Sequence, residues 1–197
     1  MHISDGVLRP SVSIGGYLVS AGIMAICVRK METDELPKVA VVTSAFFVCS
    51  LIHVPLGPTS VHLLIVGLVG ALLGVGAFPS VFLGLILQTL LFGYGGITAL
   101  GANALMMGVP ALIAGWLYRR LKGQSMKSHM LAGAFVGGLG TALAGIFLAL
   151  LLMTSGEDFF GVAKVALAAH VFVMAIEALV TAFTVSFLMK VKPEVIR

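Results

Sequence analysis

Long apolar runs, broken by short polar or Gly/Pro-containing stretches, follow one another along the whole chain. A helix needs about 17 to 25 apolar residues to cross the hydrocarbon layer. The pattern predicts seven such segments, at residues 13–28, 37–52, 60–76, 80–91, 100–117, 129–153 and 162–189. The fourth is short, which suits a tilted segment or one partly enclosed by protein. The break Pro55-Leu-Gly-Pro-Thr-Ser precedes the third, with the Thr59 or Ser60 hydroxyl as its predicted N-cap. No repeat of fixed period and no low-complexity segment is present, so residues 1–197 read as a single integral membrane domain, an all-α bundle of seven transmembrane helices.

Composition agrees with that class. With 59% hydrophobic and 10% charged residues, the chain has too little charge for a soluble domain of its size. The 24 glycines fit close helix approach, since lipid supplies no hydrophobic drive between helices. Gly133 and Gly137 form a GxxxG pair, continued by Gly138, Gly140, Ala144 and Gly145, and packing inside the subunit is the favoured reading over packing against a partner. Cys27 and Cys49 lie in apolar runs without paired spacing and are expected as free thiols. Residues 1–12 carry Asp5 and a single basic residue, Arg9, so a cleavable signal peptide is not expected.

Charge then sets orientation. Arg29, Lys30, Lys38, Arg119, Arg120, Lys122, Lys127, Lys190, Lys192 and Arg197 all fall on one side if the chain crosses seven times with its amino terminus outside. Only Arg9 and Lys164 fall on the other, with Asp5, Glu157 and Asp158. An even number of crossings would break this agreement. The net charge of +4 is therefore a topology signal in a lipid-embedded protein and does not point to nucleic acid.

On this expected outer side the chain opens with Met1-His2. A free α-amine, the backbone nitrogen of His2 and the near ring nitrogen of His2 close a five-membered and a six-membered chelate ring around one metal ion. All three nitrogens can lie in one plane, which leaves a fourth corner open. A further imidazole there would complete a four-nitrogen square plane, the geometry of Ni(II) or Cu(II) rather than of tetrahedral zinc. Capture would release protons, so affinity should fall in acid.

Of the other histidines, His62 is the first choice for the fourth nitrogen, with an interfacial histidine held by hydrogen bonding as the plainer alternative. His53 ranks second, as ligand, as a group orienting His62, or as an interfacial residue. His129 starts the sixth segment on the basic side and is expected to be solvated. His170 and Glu177 are seven apart on one helix face, and a structural polar contact is the plain reading of the acid. Asp5, Gln88, Thr98 and Asn103 are candidates for the surroundings of the chelate, and Gly6 for a sharp turn leading the terminus inward. The ten methionines lack a ligating spacing and read as apolar filler. HExxH and paired catalytic carboxylates are absent, which argues against a membrane metalloenzyme, and no ring of polar residues suggests an ion channel.

Met1-His-Ile-Ser-Asp-Gly-Val-Leu, Pro58-Thr-Ser-Val-His-Leu-Leu and Gly95-Gly-Ile-Thr-Ala-Leu-Gly-Ala-Asn together resemble the substrate-binding membrane component of nickel/cobalt energy-coupling-factor transporters, the NikM/CbiM family. The resemblance covers most of the chain. It implies a seven-helix subunit in the plasma membrane of a prokaryote, with a metal held by Met1, His2 and His62. It also implies a transmembrane coupling subunit, two ATPase subunits and a small accessory membrane subunit, which is not fused here. The chain itself has no GxxxxGK[ST] motif to hold ATP. Cobalt members more often open Met-His-Ile-Met-Glu-Gly and carry their histidine in a Ser-His-Pro context. The chain looks more like the nickel branch, with Ni(II) as transported substrate and Co(II) as the alternative. His53 departs from the family's pattern.

Overall fold

The structure is a computed structural model describing residues 2–56, 59–157 and 159–196, without the side chains of 53–56 and 59–61. Met1, Asp158 and Arg197 therefore lie outside the described residues, as does the His53 side chain. Among the described residues, the regular structure is helical apart from one hairpin. Its helices are α1 (Pro10–Lys30), α2 (Leu36–Ser50), α3 (Val66–Leu73), α4 (Ala77–Phe92), α5 (Leu100–Leu121), α6 (Met126–Ser155) and α7 (Phe159–Val191). Between α2 and α3, β1 (His53–Leu56) pairs antiparallel with β2 (Thr59–His62), with His53 opposite His62. Among the described residues, five helical segments are long and apolar enough to span a bilayer: α1, Val66–Phe92, α5, α6 and α7. Large apolar side chains on the outer faces, such as Phe172 at 77% exposure, suit contact with lipid.

Val66–Phe92 is not a straight rod. Thr43 Oγ1 donates to Ser80 Oγ at 2.9 Å, Phe46 covers Gly84, and Gln88 Nε2 donates to Ser50 Oγ at 2.7 Å, so α4 runs parallel to α2. By contrast, Gly70 lies against Ala111 and Gly115, and Gly74 against Arg119, so α3 runs parallel to α5 and opposite to α4. The reversal occurs at Gly74–Gly76, where Gly74 adopts φ 57°, a region open to glycine. With eight residues, α3 is only about 12 Å long at 1.5 Å per residue.

Two expectations fail here. Residues 60–65 belong to β2 and an irregular connection rather than to a third helix, and α3 starts at Val66 with Ile65 in its N-cap position, not Thr59 or Ser60. The physical reason lies on a distant helix. The N–H groups of Leu64 and Ile65 donate to Glu177 Oε1 on α7, the latter at 2.8 Å, so they are satisfied without a helical turn before them. His129 is a third correction, since it is buried at the start of α6 and its Nδ1 lies 2.8 Å from Tyr118 Oη. The Tyr118 hydroxyl gives the ring a polar partner inside the protein that sequence position did not reveal.

Small residues set the packing. Gly133 and Gly137 face Val185, Thr181 and Glu177 of α7, so the GxxxG surface packs within the subunit. Cys27 and Cys49 are free. A methyl group on Gly70 would overlap the Ala111 carbonyl oxygen and the Gly115 nitrogen, with backbone on both sides and little room to shift. Gly70→Ala should therefore destabilise the fold by about 1–3 kcal/mol, read as a lowered melting temperature in detergent.

Candidate metal centre

Residues 2–8 lead back into the helix bundle. Gly6 turns the segment with φ 80°, as expected of it, and Pro10 occupies the first turn of α1, where its missing N–H costs nothing. Ile3 is buried. Its N–H donates to Asn103 Oδ1 at 2.9 Å and its carbonyl accepts from Asn103 Nδ2 at 3.0 Å, so one carboxamide pairs with the main chain as a neighbouring strand would. Asp5 Oδ1 accepts from Thr98 N at 2.8 Å and Thr98 Oγ1 at 2.6 Å, which holds its carboxyl below the ordinary range. Gly95 and Gly96 allow this approach, because a side chain at either would meet Asn103 and His2, or Asp5.

These contacts deliver the His2 ring to a stack. Its centroid lies 5.0 Å from that of His62, with an interplanar angle of 21°, and 6.1 Å from that of Tyr94. His2 Nε2 is 2.5 Å from Gln88 Oε1, while Ser50 accepts from the Gln88 amide nitrogen and fixes its orientation. A carboxamide oxygen only accepts, so Nε2 carries the proton and Nδ1 keeps its lone pair. His62 shows the mirror arrangement. Its Nδ1 lies 3.0 Å from the Leu63 carbonyl oxygen and so donates, and the buried Nε2 has no hydrogen-bond partner. Burial depresses both imidazoles to a pKa of about 4, against small opposing contributions from Gln88 and Leu63, with His170 adding to the depression of His62. Two neutral histidines thus stack with a free lone pair each, the protonation state a metal requires.

Four of the residues singled out around the chelate, Asp5, Gln88, Thr98 and Asn103, come together here. Glu177 makes the structural polar contact expected of it. His170 Nδ1 sits 2.5 Å from the Ala166 carbonyl of its own helix. Ser50 and Tyr94 were not anticipated. Tyr94 follows the helix stop at Gly93, where φ is 67° and the Tyr94 N–H returns to the Gln88 carbonyl at 3.3 Å. That Gly-Tyr junction is the signal that placed it beside Gln88. Replacing Gln88 by Leu should lower metal affinity about 10- to 100-fold, checked by titration of the purified variant against the wild type.

The fold and this site describe a multi-pass helical membrane protein in which residues 2–8 fold inward and bring the neutral His2 imidazole against that of His62. Comparison with known proteins is more specific: the family described as "Cobalt uptake substrate-specific transmembrane region", CbiM, matches residues 2–195, and the chain belongs to it. It is 35% identical over 198 residues to a putative metal transport protein of Haemophilus influenzae, covering 99% of this chain and 96% of that one. It is 32% identical over 206 residues to a putative fused nickel transport protein, NikMN, of Archaeoglobus fulgidus, covering 100% of this chain and 68% of that one. A crystal structure of a transition metal transporter superposes with a TM-score of 0.79 at 26% identity, over 97% of this chain and 93% of that one. This family and these relatives are metal transport proteins and not enzymes, and this chain is accordingly a metal transport protein.

Proposed function

We propose that this chain is the substrate-capturing component of an ATP-driven energy-coupling-factor uptake system and that it takes up Ni(II). One integral membrane domain crosses the plasma membrane of a prokaryote seven times, amino terminus outside, and works with a transmembrane coupling subunit, two ATPase subunits and a small accessory membrane subunit. The alternating directions of α2, α3, α4 and α5 and the basic loops support this topology. The Met1 α-amine, the His2 backbone nitrogen, His2 Nδ1 and His62 Nε2 hold the ion. The observation that carries this reading is the complementary pair of tautomers, in which Gln88 occupies His2 Nε2, Leu63 occupies His62 Nδ1, and the two remaining ring nitrogens are lone pairs.

The test is a Ni(II) titration of the subunit with its native amino terminus, followed by visible absorption. A one-to-one yellow diamagnetic complex is expected of a square-planar nitrogen site. No binding, or a paramagnetic octahedral spectrum, would refute the chelate. A Co(II) preference in a parallel titration would keep the uptake role and change the substrate.

A further inference from the structure

Between His62 and α3 lies a backbone that would not hold its shape unaided. Ile65, a β-branched residue, has φ 43° and ψ 21°, the left-handed region that such side chains avoid. Strain of this kind persists only where the surroundings over-determine it. The fixing contact comes from Glu177, fully buried on α7, whose Oε1 accepts from the N–H groups of both Leu64 and Ile65.

The first of these bonds has a special position. The N–H of Leu64 and the carbonyl of Leu63 belong to one planar peptide group. Glu177 therefore grips one end of the group whose other end accepts from His62 Nδ1 at 3.0 Å. Hydrogen bonds in such a chain polarise one another, so acceptance at N–H makes the carbonyl a better acceptor for the imidazole proton. An acceptor on the far nitrogen fixes the tautomer and ring direction of a ligating histidine and strengthens its lone pair.

We infer that Glu177 is a positioning residue for His62, acting through the Leu63–Leu64 peptide to hold the ring in its Nδ1–H tautomer with Nε2 free for the metal. The inference rests on the metal-site reading only for the last step, since the tautomer is a property of the metal-free protein. The contact also ties the site to α7, so movement of that helix is felt at one ligand.

The test uses the full chain with its native amino terminus and the variants Glu177→Ala and Glu177→Gln, each checked for native helicity. In metal-free protein, nitrogen-15 NMR of the His62 ring reads the tautomer directly. The wild type should show a single Nδ1–H form, Glu177→Ala a mixture, and Glu177→Gln, which retains a carbonyl acceptor, the wild-type form. Ni(II) affinity should fall tenfold or more in Glu177→Ala, with a shift of the visible band, and return to within a few-fold in Glu177→Gln. Wild-type tautomer in Glu177→Ala, or equal loss in both variants, would overturn the inference. If Glu177→Ala does not fold, the tautomer in Glu177→Gln and in Glu177→Leu decides. Failure of Ni(II) to bind the wild type would count against the uptake reading alone, because the tautomer measurement stands apart from it.

Discussion

Extending the chain by several residues ahead of Met1 is expected to abolish tight Ni(II) binding while leaving the helical fold in place. The extension converts the Met1 α-amine into a peptide nitrogen and carries the new α-amine too far along the chain to close fused chelate rings with His2. The segment is also not free to slide and compensate, since Ile3 is already buried and both its main-chain polar groups are held by Asn103. His62→Ala should have a comparable effect by a different route. It removes the ring nitrogen that has no hydrogen-bond partner, so the proposed square plane loses a corner. The Nδ1–H bond to Leu63 and the stack on His2 go with it, so a thermal melt of the variant accompanies the titration. A loss of about a thousandfold corresponds to about 4 kcal/mol, well above what a repositioned water would hide. Isothermal titration of both variants against the wild type measures it. His53→Ala is expected to cost less than His62→Ala. Stoichiometric tight Ni(II) in the extended protein or in His62→Ala would mean that the ligands lie elsewhere.

The second large effect is on pH. An α-amine ordinarily titrates near 7.7–8.0 and an amide proton leaves only to the metal, so two protons compete with Ni(II) below neutrality. The two imidazoles do not add to them, because burial holds both at about 4 and they are already neutral at pH 5. Apparent affinity should therefore fall about a hundredfold per pH unit between pH 7 and 5. Ordinary solvated histidines would steepen that slope below pH 6.5. The same depression bears on stability. The unfolded chain takes up protons near pH 6.5 that the folded chain refuses until about pH 4, so stability falls as pH drops through that window. Metal titrations at several pH values, paired with thermal melts of the metal-free protein, separate the two slopes.

Most of the helical framework was legible because hydropathy is a local property. Segments expected at 100–117, 129–153 and 162–189 became α5, α6 and α7, each extended by a few residues at one or both ends. The third segment was not legible for a reason that is physical. His62-Leu-Leu-Ile-Val reads as the start of an apolar helix, and nothing nearby says that its amide groups will be claimed by a carboxyl group 112 and 113 residues further on. The site has the same character. Met1-His2 announces chelating chemistry by itself, but Gln88 stands 86 positions away from His2 and Asn103 stands 100 from Ile3. Only the fold could assign the ring protons, and those protons decide which nitrogens remain for a metal.

The pairing of Asn103 with the Ile3 main chain has a kinetic side. In the proposed chelate all donor nitrogens except that of His62 lie on the same piece of chain as the segment pinned by Asn103 and Thr98, so an ion would not leave by loosening a single bond while that segment stays in place. Escape requires peeling Ile3 from Asn103 and Asp5 from Thr98 together. On that reading residence time reports the local unfolding of residues 2–8, and machinery that empties the site works as an unzipper of that segment rather than as a competing chelator.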